Sequence, residues 1–214
     1  MGAEPSDQLL TTTRAVRRRL DLERPVDPSL IEECLRVALQ APNGGNQQGW
    51  QFVVVTDPGL RTSVADVFRR GAVAYAQRAD KPPAPARREE EREARHRVMA
   101  SAAYLFEHLH EVPVLVIACV EGRVDTRPLV DQATAYGSIL PAVWSFMLAA
   151  RARGLGTSWT TAHLMLEEEM AALLGIPYPE FTQVALIPVA HTLGDTFRAA
   201  PRRPLDEVAH WQRW

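Results

Sequence analysis

Two arginines near the amino terminus have a spacing that suits an anionic ligand. Arg14 and Arg17 follow the run Thr11-Thr12-Thr13, and three successive β-branched residues favour an extended backbone. Residues three apart in an extended chain lie on opposite faces, so the pair could hold the two ends of one polar ligand. A guanidinium also binds phosphate through two parallel hydrogen bonds. Because most single arginines are solvated surface groups, an anion site would need further groups from elsewhere in the chain.

Further groups of this kind are spread along the sequence. The segment Pro42-Asn43-Gly44-Gly45-Asn46 combines side-chain amides with two glycines that let a ligand approach the backbone closely. Leu155-Gly156-Thr157 offers bare backbone after a predicted helix end, and Arg202-Arg203 adds guanidinium groups near the carboxyl terminus. Each group alone is also typical of an ordinary surface loop. The candidate site is therefore distributed over the chain rather than contained in one motif.

The sequence lacks the common signatures of nucleophilic and metal-dependent catalysis. It contains no G-x-S-x-G, no H-E-x-x-H and no P-loop motif. His108 and His110 would point apart on a helix, and no nearby carboxylate or cysteine completes a metal shell. His163 and His191 could act as acid–base groups, but neither has a partner that the sequence reveals, so structural roles are favoured. We therefore predict no metal site.

The composition is that of an ordinary globular protein and excludes several classes of partner. The chain has 214 residues, 46% of them apolar, which is enough for one domain with a full core. The formal net charge is -2, so there is no overall basic field for nucleic acid or an anionic membrane. Lys81 is the only lysine and lies in a proline-rich stretch, which argues against a lysine Schiff base.

Cysteine usage and hydropathy predict a cytoplasmic protein. Cys34 and Cys119 lie in apolar patterns and form no C-x-x-C pair, as expected in a reducing compartment. The first residues carry no basic and apolar secretion signal, and no apolar run approaches the length of a membrane span. We expect neither a nucleic acid nor a membrane as partner.

The elements that must position the candidate groups are predicted to be helices around a small sheet. Asp27 and Asp57 each precede a proline, a pattern that predicts a helix with an aspartate cap. Apolar runs at 52–55, 112–120 and 181–189 predict buried strands. This arrangement is typical of an α+β or α/β fold.

The longest predicted helix spans 136–153, and Gly154 is placed to end it. Apolar residues recur along it at helical spacing. The side chains predicted to point inward are Ile139, Leu140, Val143, Trp144, Met147 and Leu148.

The segment 77–97 differs in composition from the rest of the chain. Four residues rich in proline, 82–85, precede a dense run of arginine and glutamate with almost no apolar residue. This pattern favours a solvated flexible excursion or an exposed helix, with a mobile lid as the alternative. Because each side of the segment lacks a complete core, we predict a single domain over 1–214.

Several motifs of this chain occur together in one protein family. They are T-R-A-V-R at 13–17, A-P-N-G-G-N-Q-Q-G-W-Q-F at 41–52, R-G-L-G-T-S-W at 153–159, L-G-I-P-Y at 174–178 and I-P-V-A at 187–190. With these motifs the chain resembles the nitroreductase family of flavoproteins, most closely its short actinobacterial branch. The resemblance runs from residue 9 to the end, and the Pro-Asn-Gly-Gly-Asn block is its most specific piece.

The resemblance implies an α+β fold, a central and mostly antiparallel sheet flanked by helices, and an intertwined homodimer with two FMN molecules at its interface. Arg14 and Arg17 would contact the phosphate, ribityl chain and pyrimidine edge, and Arg203, helped by Arg202, would complete the phosphate site. The other implied cofactor-site positions are Pro42, Asn43, Gly44 and Asn46 in the loop that reaches the flavin from the partner subunit, and Leu155, Gly156 and Thr157 along the isoalloxazine.

Two positions depart from the family pattern. Ala15, within the cofactor site, stands where many members have serine, so a side-chain hydroxyl is missing. Gly49 stands where many members have proline before the tryptophan, which loosens the loop that leads to the flavin pocket. Neither departure removes a charge.

The implied activity is that of an FMN-dependent oxidoreductase. It would take hydride from NAD(P)H and reduce a nitroaromatic, a quinone or a similar small acceptor by a ping-pong mechanism. The protein would supply position and electrostatics, so no catalytic residue is assigned. Two alternatives are an FMN-dependent oxidase or dehydrogenase of a peptide-like substrate, with oxygen in place of nicotinamide, and a flavin-binding protein without turnover.

Overall fold

The fold is built around a four-stranded antiparallel sheet. The structure is a computed structural model that describes residues 5–78 and 89–214. The strands are β1 (Trp50–Val55), β2 (Val114–Glu121), β3 (Leu155–Thr157) and β4 (Phe181–His191), in the order β1-β2-β4-β3. Each neighbouring pair is antiparallel. The predicted α+β fold with a central antiparallel sheet is thereby confirmed.

Six α-helices surround the sheet in the described ranges. They are α1 (Pro5–Thr12), α2 (Pro28–Ala38), α3 (Pro58–Ala76), α4 (Glu89–His108), α5 (Leu129–Ala152) and α6 (Glu167–Leu174). Short 3-10 turns lie at Gly44–Asn46, Leu109–Glu111, Ala162–Leu166 and Leu205–Glu207.

Local chemistry explains where several of these helices begin and end. An Asp27 carboxylate oxygen accepts from the Ser29 amide at 2.9 Å and so caps α2, as predicted. Asp57 caps α3 in the same way. After α5 the chain reverses at Gly154, whose φ of +75° lies in the left-handed region that glycine adopts without steric cost.

The core lies on both faces of the sheet. Helices α2 and α5 pack on one face, where Ile31 and Phe146 are fully buried beside Val116 of β2. Helices α3, α4 and α6 pack on the other, where Phe68 and Leu105 meet alternate β2 residues. Both faces of β2 are buried, which explains why its sequence is continuously apolar rather than alternating.

The structure describes only part of the charged segment at 77–97, because residues 79–88 are not among the described residues. The run from Glu89 onward forms the first half of α4, in agreement with an exposed helix there. Residues 79–88, which include Lys81 and the prolines, lie outside the described residues. The prediction of a lid or flexible excursion therefore stays a prediction.

The threonine run at 11–13 was predicted to be extended, and this is wrong for its first two members. Thr11 and Thr12 form the last turn of α1. Their hydroxyls each donate to a backbone carbonyl four residues earlier at 2.7 Å, which stabilises them in a helical conformation. The extended segment therefore begins only after Thr12.

Helix α5 departs from prediction in its start and in its inward face. It begins at Leu129 rather than at 136, and Leu140 and Trp144 are each 38% exposed instead of buried. By length and composition it could also span a membrane, which corrects the prediction that no apolar run approaches that length. Of its most apolar window, 44% is buried inside the protein, and a single helix of this kind is weak evidence for a membrane span.

Candidate functional site

The amino-terminal arginine segment is joined to the edge of the sheet. After α1 the chain runs beside β3, where Ala15 and Thr157 form a parallel bridge. The Val16 amide donates to the Thr157 carbonyl at 2.8 Å. The structure therefore brings Arg14, Ala15 and Arg17 together with the backbone of β3, two groups that the sequence predicted for one site.

Gly156 allows this close contact. A Cβ at that position would lie 2.9 Å from Cγ1 of Val16 and 2.9 Å from Cγ2 of Thr192, closer than real Cβ atoms come to a neighbour. A larger residue would push the arginine segment away from β3. The glycine thus serves packing within the chain, and all three β3 residues are buried.

Guanidinium groups dominate a cavity of about 290 Å³ beside this junction. Its lining residues are Arg14, Ala15, Val16, Arg17, Arg18, Arg19, Ser101, Thr196, Phe197 and Arg198, and we call it the arginine cavity. Among the described residues, five cations and no carboxylate line it. This excess of positive charge, together with the guanidinium geometry, suits a phosphate or another multiply charged anion.

Arg19 and Arg14 hold the carboxyl-terminal segment over the cavity. Arg19 donates from Nε to the Leu193 carbonyl and from Nη1 to the Thr196 carbonyl, each at 2.8 Å. Arg14 donates from Nη1 to the carbonyl of Arg198 at 3.0 Å. The two ends of the chain therefore build the cavity jointly.

Arg17 is the most desolvated cation of the group. It is half-buried, and burial lowers the pKa of its guanidinium. In the described part of the chain no carboxylate lies within ion-pair distance of it, and its guanidinium donates to Ser101 Oγ at 3.2 Å. A partly desolvated cation without a counter-ion is stabilised when an anion binds next to it.

The carboxyl-terminal arginines chosen from the sequence lie elsewhere on the tail. Arg202 and Arg203 are exposed, and neither lines the arginine cavity; Arg202 donates to the Pro201 carbonyl. Arg198, from the same arginine-bearing tail, lines the cavity instead. The sequence does not single out Arg198. Arg198 faces the cavity because Arg19 binds the carbonyls of Leu193 and Thr196 just before it, and this contact between distant parts of the chain is not visible in the sequence.

The loop of residues 42–49 borders a different cavity, of about 800 Å³. Asn43, Gln47, Gln48 and Gly49 line it together with Glu121 and Phe181 near the ends of β2 and β4 and with Arg127, Asp131 and Thr134. We call it the loop cavity. Of the described residues, none lines both this cavity and the arginine cavity. Within one chain, Asn43 and Arg14 therefore belong to separate surfaces.

The loop is fixed against α5 by Gly44. Its amide donates to Ser138 Oγ at 2.9 Å, and a Cβ on it would lie only 2.5 Å from Cγ2 of Thr134. Asn43 Oδ1 accepts from the Gln48 amide at 3.0 Å, and Asn46 adopts a φ of +54°. The predicted loop residues Pro42, Asn43, Gly44 and Asn46 thus lie together in one compact turn.

The histidines have structural surroundings. His108 Nδ1 lies 2.7 Å from a carboxylate oxygen of Glu111, so a carboxylate does lie nearby, contrary to prediction, and His110 Nδ1 lies 2.7 Å from Arg69 Nη2. His163 is fully buried, and this burial lowers its pKa to about 3. Among residues 5–78 and 89–214, no group of three or more histidine, cysteine, aspartate or glutamate side chains could hold a metal ion.

Solved structures share this fold over nearly the whole chain. A BluB-like flavoprotein from Clostridium difficile 630 superposes with a TM-score of 0.71, covering 99% of this chain and 100% of that one, at 22% identity. An iodotyrosine deiodinase crystallised with FMN and 3-iodo-L-tyrosine gives a TM-score of 0.72 and 21% identity, covering 97% of this chain and 98% of that one. The fold therefore has counterparts among solved structures.

The family follows from the sequence match. The Nitroreductase family profile matches residues 10–191, so the chain belongs to the Nitroreductase family. A relative, the 5,6-dimethylbenzimidazole synthase of Rhodospirillum rubrum, is 32% identical over 157 residues, which cover 72% of this chain and 67% of the synthase. The resemblance described from the motifs is confirmed.

Proposed function

We propose that this protein binds FMN noncovalently between two copies of the chain and acts as an FMN-dependent oxidoreductase. In this proposal it takes hydride from NAD(P)H and reduces a small acceptor such as a nitroaromatic or a quinone. The observation that carries the proposal is the arginine cavity beside β3, where the part of the chain that the structure describes contributes five guanidinium groups and no carboxylate. The family and the FMN-containing fold neighbour support FMN as the phosphate-bearing ligand.

The charges in the cavity fit the phosphate of FMN. Arg14 is exposed at the cavity and has donors left after its bond to Arg198, so it can bind the phosphate. In the proposed site Arg203 approaches the same phosphate. Arg17 has no carboxylate partner among the described residues, so its charge is available to stabilise negative charge on the pyrimidine edge.

FMN, when bound, supplies hydride acceptance and electron transfer, which no side chain can perform alone. The chain's own contribution is then to bind, orient and screen. The backbone of Leu155–Thr157 is held rigid by its pairing with β4 and by the Val16 bond, so it can serve as a fixed border for a planar ring. This division of work agrees with the absence of a nucleophile motif in the sequence.

A second copy of the chain would complete the site. The loop cavity and the arginine cavity share no described residue, which supports a site in which Asn43 reaches the FMN held by Arg14 from a partner subunit. Apolar side chains on α5 support such an interface, since Leu129 is 80% exposed and Trp144 is also partly exposed. Trp211, at 84% exposure, adds a large apolar group on the carboxyl-terminal tail.

Anaerobic reduction tests the proposal directly. The purified protein, loaded with FMN, is mixed with NADH or NADPH while the visible flavin absorbance is followed; a nitroaromatic or a quinone is then added. We expect the nicotinamide to bleach the flavin and the acceptor to restore its colour. An Arg14→Ala, Arg17→Ala double variant is the negative control, because it should lose both the bound flavin and the turnover.

Other outcomes would assign other chemistry. If neither nicotinamide bleaches the bound flavin, the proposed hydride transfer is wrong. Release of iodide from 3-iodo-L-tyrosine, or formation of 5,6-dimethylbenzimidazole in air, would point to the reactions named for the relatives instead. Flavin that binds tightly but reacts with none of these partners would indicate a flavin-binding protein without turnover.

A further inference from the structure

Among the described residues, the uncharged side chain of Ser101 accepts a hydrogen bond from Arg17. It lies on α4, far from Arg17 in sequence, and both side chains line the arginine cavity. Arg17 Nη1 donates to Ser101 Oγ at 3.2 Å. Because a guanidinium has five N–H donors, this bond fixes the group while leaving most of its donors for a ligand.

The hydroxyl of Ser101 is itself oriented. It donates to the Val98 carbonyl at 2.8 Å, within the same helix. With its hydrogen committed, the oxygen presents lone pairs, which can only accept. The Ser101 oxygen therefore acts as a fixed acceptor for Arg17. Because it is uncharged, it does not compete with an incoming phosphate or pyrimidine oxygen for the cation as a carboxylate would.

The neighbouring residues repeat this contact. Arg18 Nη2 approaches the carbonyl of Ala100 at 3.4 Å, so two successive residues of α4 face two successive arginines of the cavity. Both acceptors are uncharged. The wall that α4 gives to the cavity therefore orients cations without neutralising them, which preserves the positive potential that an anionic ligand needs.

We propose that Ser101 is a positioning residue: its hydroxyl holds the Arg17 guanidinium toward bound FMN and so strengthens FMN binding and eases flavin reduction. This inference rests on the proposed function, which supplies FMN as the ligand. Ser101 itself need not touch the cofactor. Its effect must therefore pass through Arg17, and this requirement separates it from a merely structural role.

A double-mutant cycle measures that dependence. FMN dissociation constants and flavin midpoint potentials are determined for the full-length protein, Ser101→Ala, Arg17→Ala and the double variant. Ser101→Thr keeps the hydroxyl and should behave as the parent protein. Ser63→Ala on α3 is the matched control. Ser63 also donates to a carbonyl of its own helix, but it accepts no hydrogen bond from an arginine among the described residues.

We expect Ser101→Ala to raise the FMN dissociation constant roughly fivefold and to make the flavin harder to reduce. In the Arg17→Ala background the same change should have no further effect on either quantity. Thermal unfolding of the apo-protein should be nearly unchanged, since alanine favours a helix.

Three results would overturn the inference. A Ser101→Ala protein with unchanged affinity and potential shows that the hydroxyl does not position Arg17, and an equal loss in the Arg17→Ala background shows that it acts elsewhere. In both cases the proposed function stands, provided that Arg17→Ala weakens FMN binding. If Arg17→Ala leaves FMN binding and potential unchanged, the assignment of Arg17 to the cofactor fails, and the role of Ser101 fails with it.

Discussion

The amide of Val16 donates to the carbonyl of Thr157 at 2.8 Å, and this bond sets the position of two arginines. Arg14 and Arg17 lie on either side of Val16, so the bond helps to hold both beside β3, together with the bridge between Ala15 and Thr157. Gly156 makes the contact possible because a Cβ there would collide with Val16. The arginine cavity is thus positioned by main-chain pairing at the sheet edge.

Arg14→Ala should weaken FMN binding. Removing one guanidinium from the phosphate should cost about 2 kcal/mol, or roughly 30-fold in the dissociation constant. Fluorescence titration of apo-protein with FMN measures it. We expect a smaller effect for Arg203→Ala, because that side chain lies on the exposed tail. Arg36→Ala on α2, whose guanidinium pairs with Glu32 at the surface, should bind FMN like the parent.

The flavin itself should be FMN and should be released by heat. No cysteine among the described residues is exposed for covalent attachment, since Cys34 and Cys119 are both buried. Chromatography of the heated supernatant identifies the flavin. Recovery of FAD, or of a flavin that stays with the precipitated protein, would contradict the prediction.

Ala15→Ser should tighten FMN binding. The Ala15 side chain is exposed and lines the arginine cavity, so a hydroxyl there adds a donor where the phosphate is proposed to lie. A gain of about threefold in affinity is expected from one additional solvent-accessible hydrogen bond. The same titration measures it, with Ala76→Ser at the end of α3 as control. Unchanged or weaker binding would place the phosphate away from Ala15.

Gly44→Ala should disturb the loop, and a second change should repair it. The new Cβ would lie 2.5 Å from Cγ2 of Thr134, and relieving such a contact costs about 1–3 kcal/mol. Thr134→Ser removes that methyl group, so the Gly44→Ala, Thr134→Ser double variant should recover most of the lost stability. Chemical denaturation of all four proteins measures this. Equal stability of the single and double variants would show that the loop packs otherwise.

FMN binding and dimerisation should be linked. A ligand bound only by the dimer stabilises the dimer, so the thermal midpoint should rise with FMN and with protein concentration. Deleting the residues after Pro204 should reduce dimer affinity and flavin retention together, because it removes exposed Trp211 and Trp214. Helical content should persist, since the six described α-helices all precede that point. Sedimentation decides: a monomer with stoichiometric FMN would place the whole site within one chain.

His163 should make the protein less stable in acid. Burial lowers its native pKa to about 3, whereas the unfolded chain has the ordinary value of 6.5. Between these values the unfolded state binds more protons, so the free energy of unfolding falls as the pH falls from about 6.5, by at most about 1.4 kcal/mol per unit. Denaturation at several pH values should show a flatter pH dependence of the free energy of unfolding for His163→Gln than for the parent protein. Parallel curves for parent and His163→Gln would refute this.

Features determined by neighbouring residues could be predicted from the sequence. The caps at Asp27 and Asp57 and the left-handed turn at Gly154 depend on contacts within one or two turns, and all three occur. The strand positions also follow, because β2 and β4 are covered on both faces and need continuous apolar runs.

Features determined by distant contacts could not be predicted. Trp144 and Leu140 fit the apolar spacing of α5. However, α5 carries apolar residues on all its sides, so periodicity alone does not identify the face that is buried. Arg198 faces the cavity because Arg19 fixes the preceding segment, a contact between the two ends of the chain. The resemblance to the family predicted that the arginine pair and the loop belong to one cofactor site. The residues alone indicated only that each segment could contact a ligand.

The joint construction of the arginine cavity from both chain ends has a consequence during biosynthesis. The segment from Arg14 to Arg19 leaves the ribosome well before its partners at Thr157, Leu193, Thr196 and Arg198. A nascent chain can build most of its sheet while the cavity still lacks one wall. Binding of a phosphate-bearing ligand there, as proposed for FMN, would therefore follow closure of the cavity by the carboxyl-terminal segment, and a truncated product would lack that wall however well its core had formed.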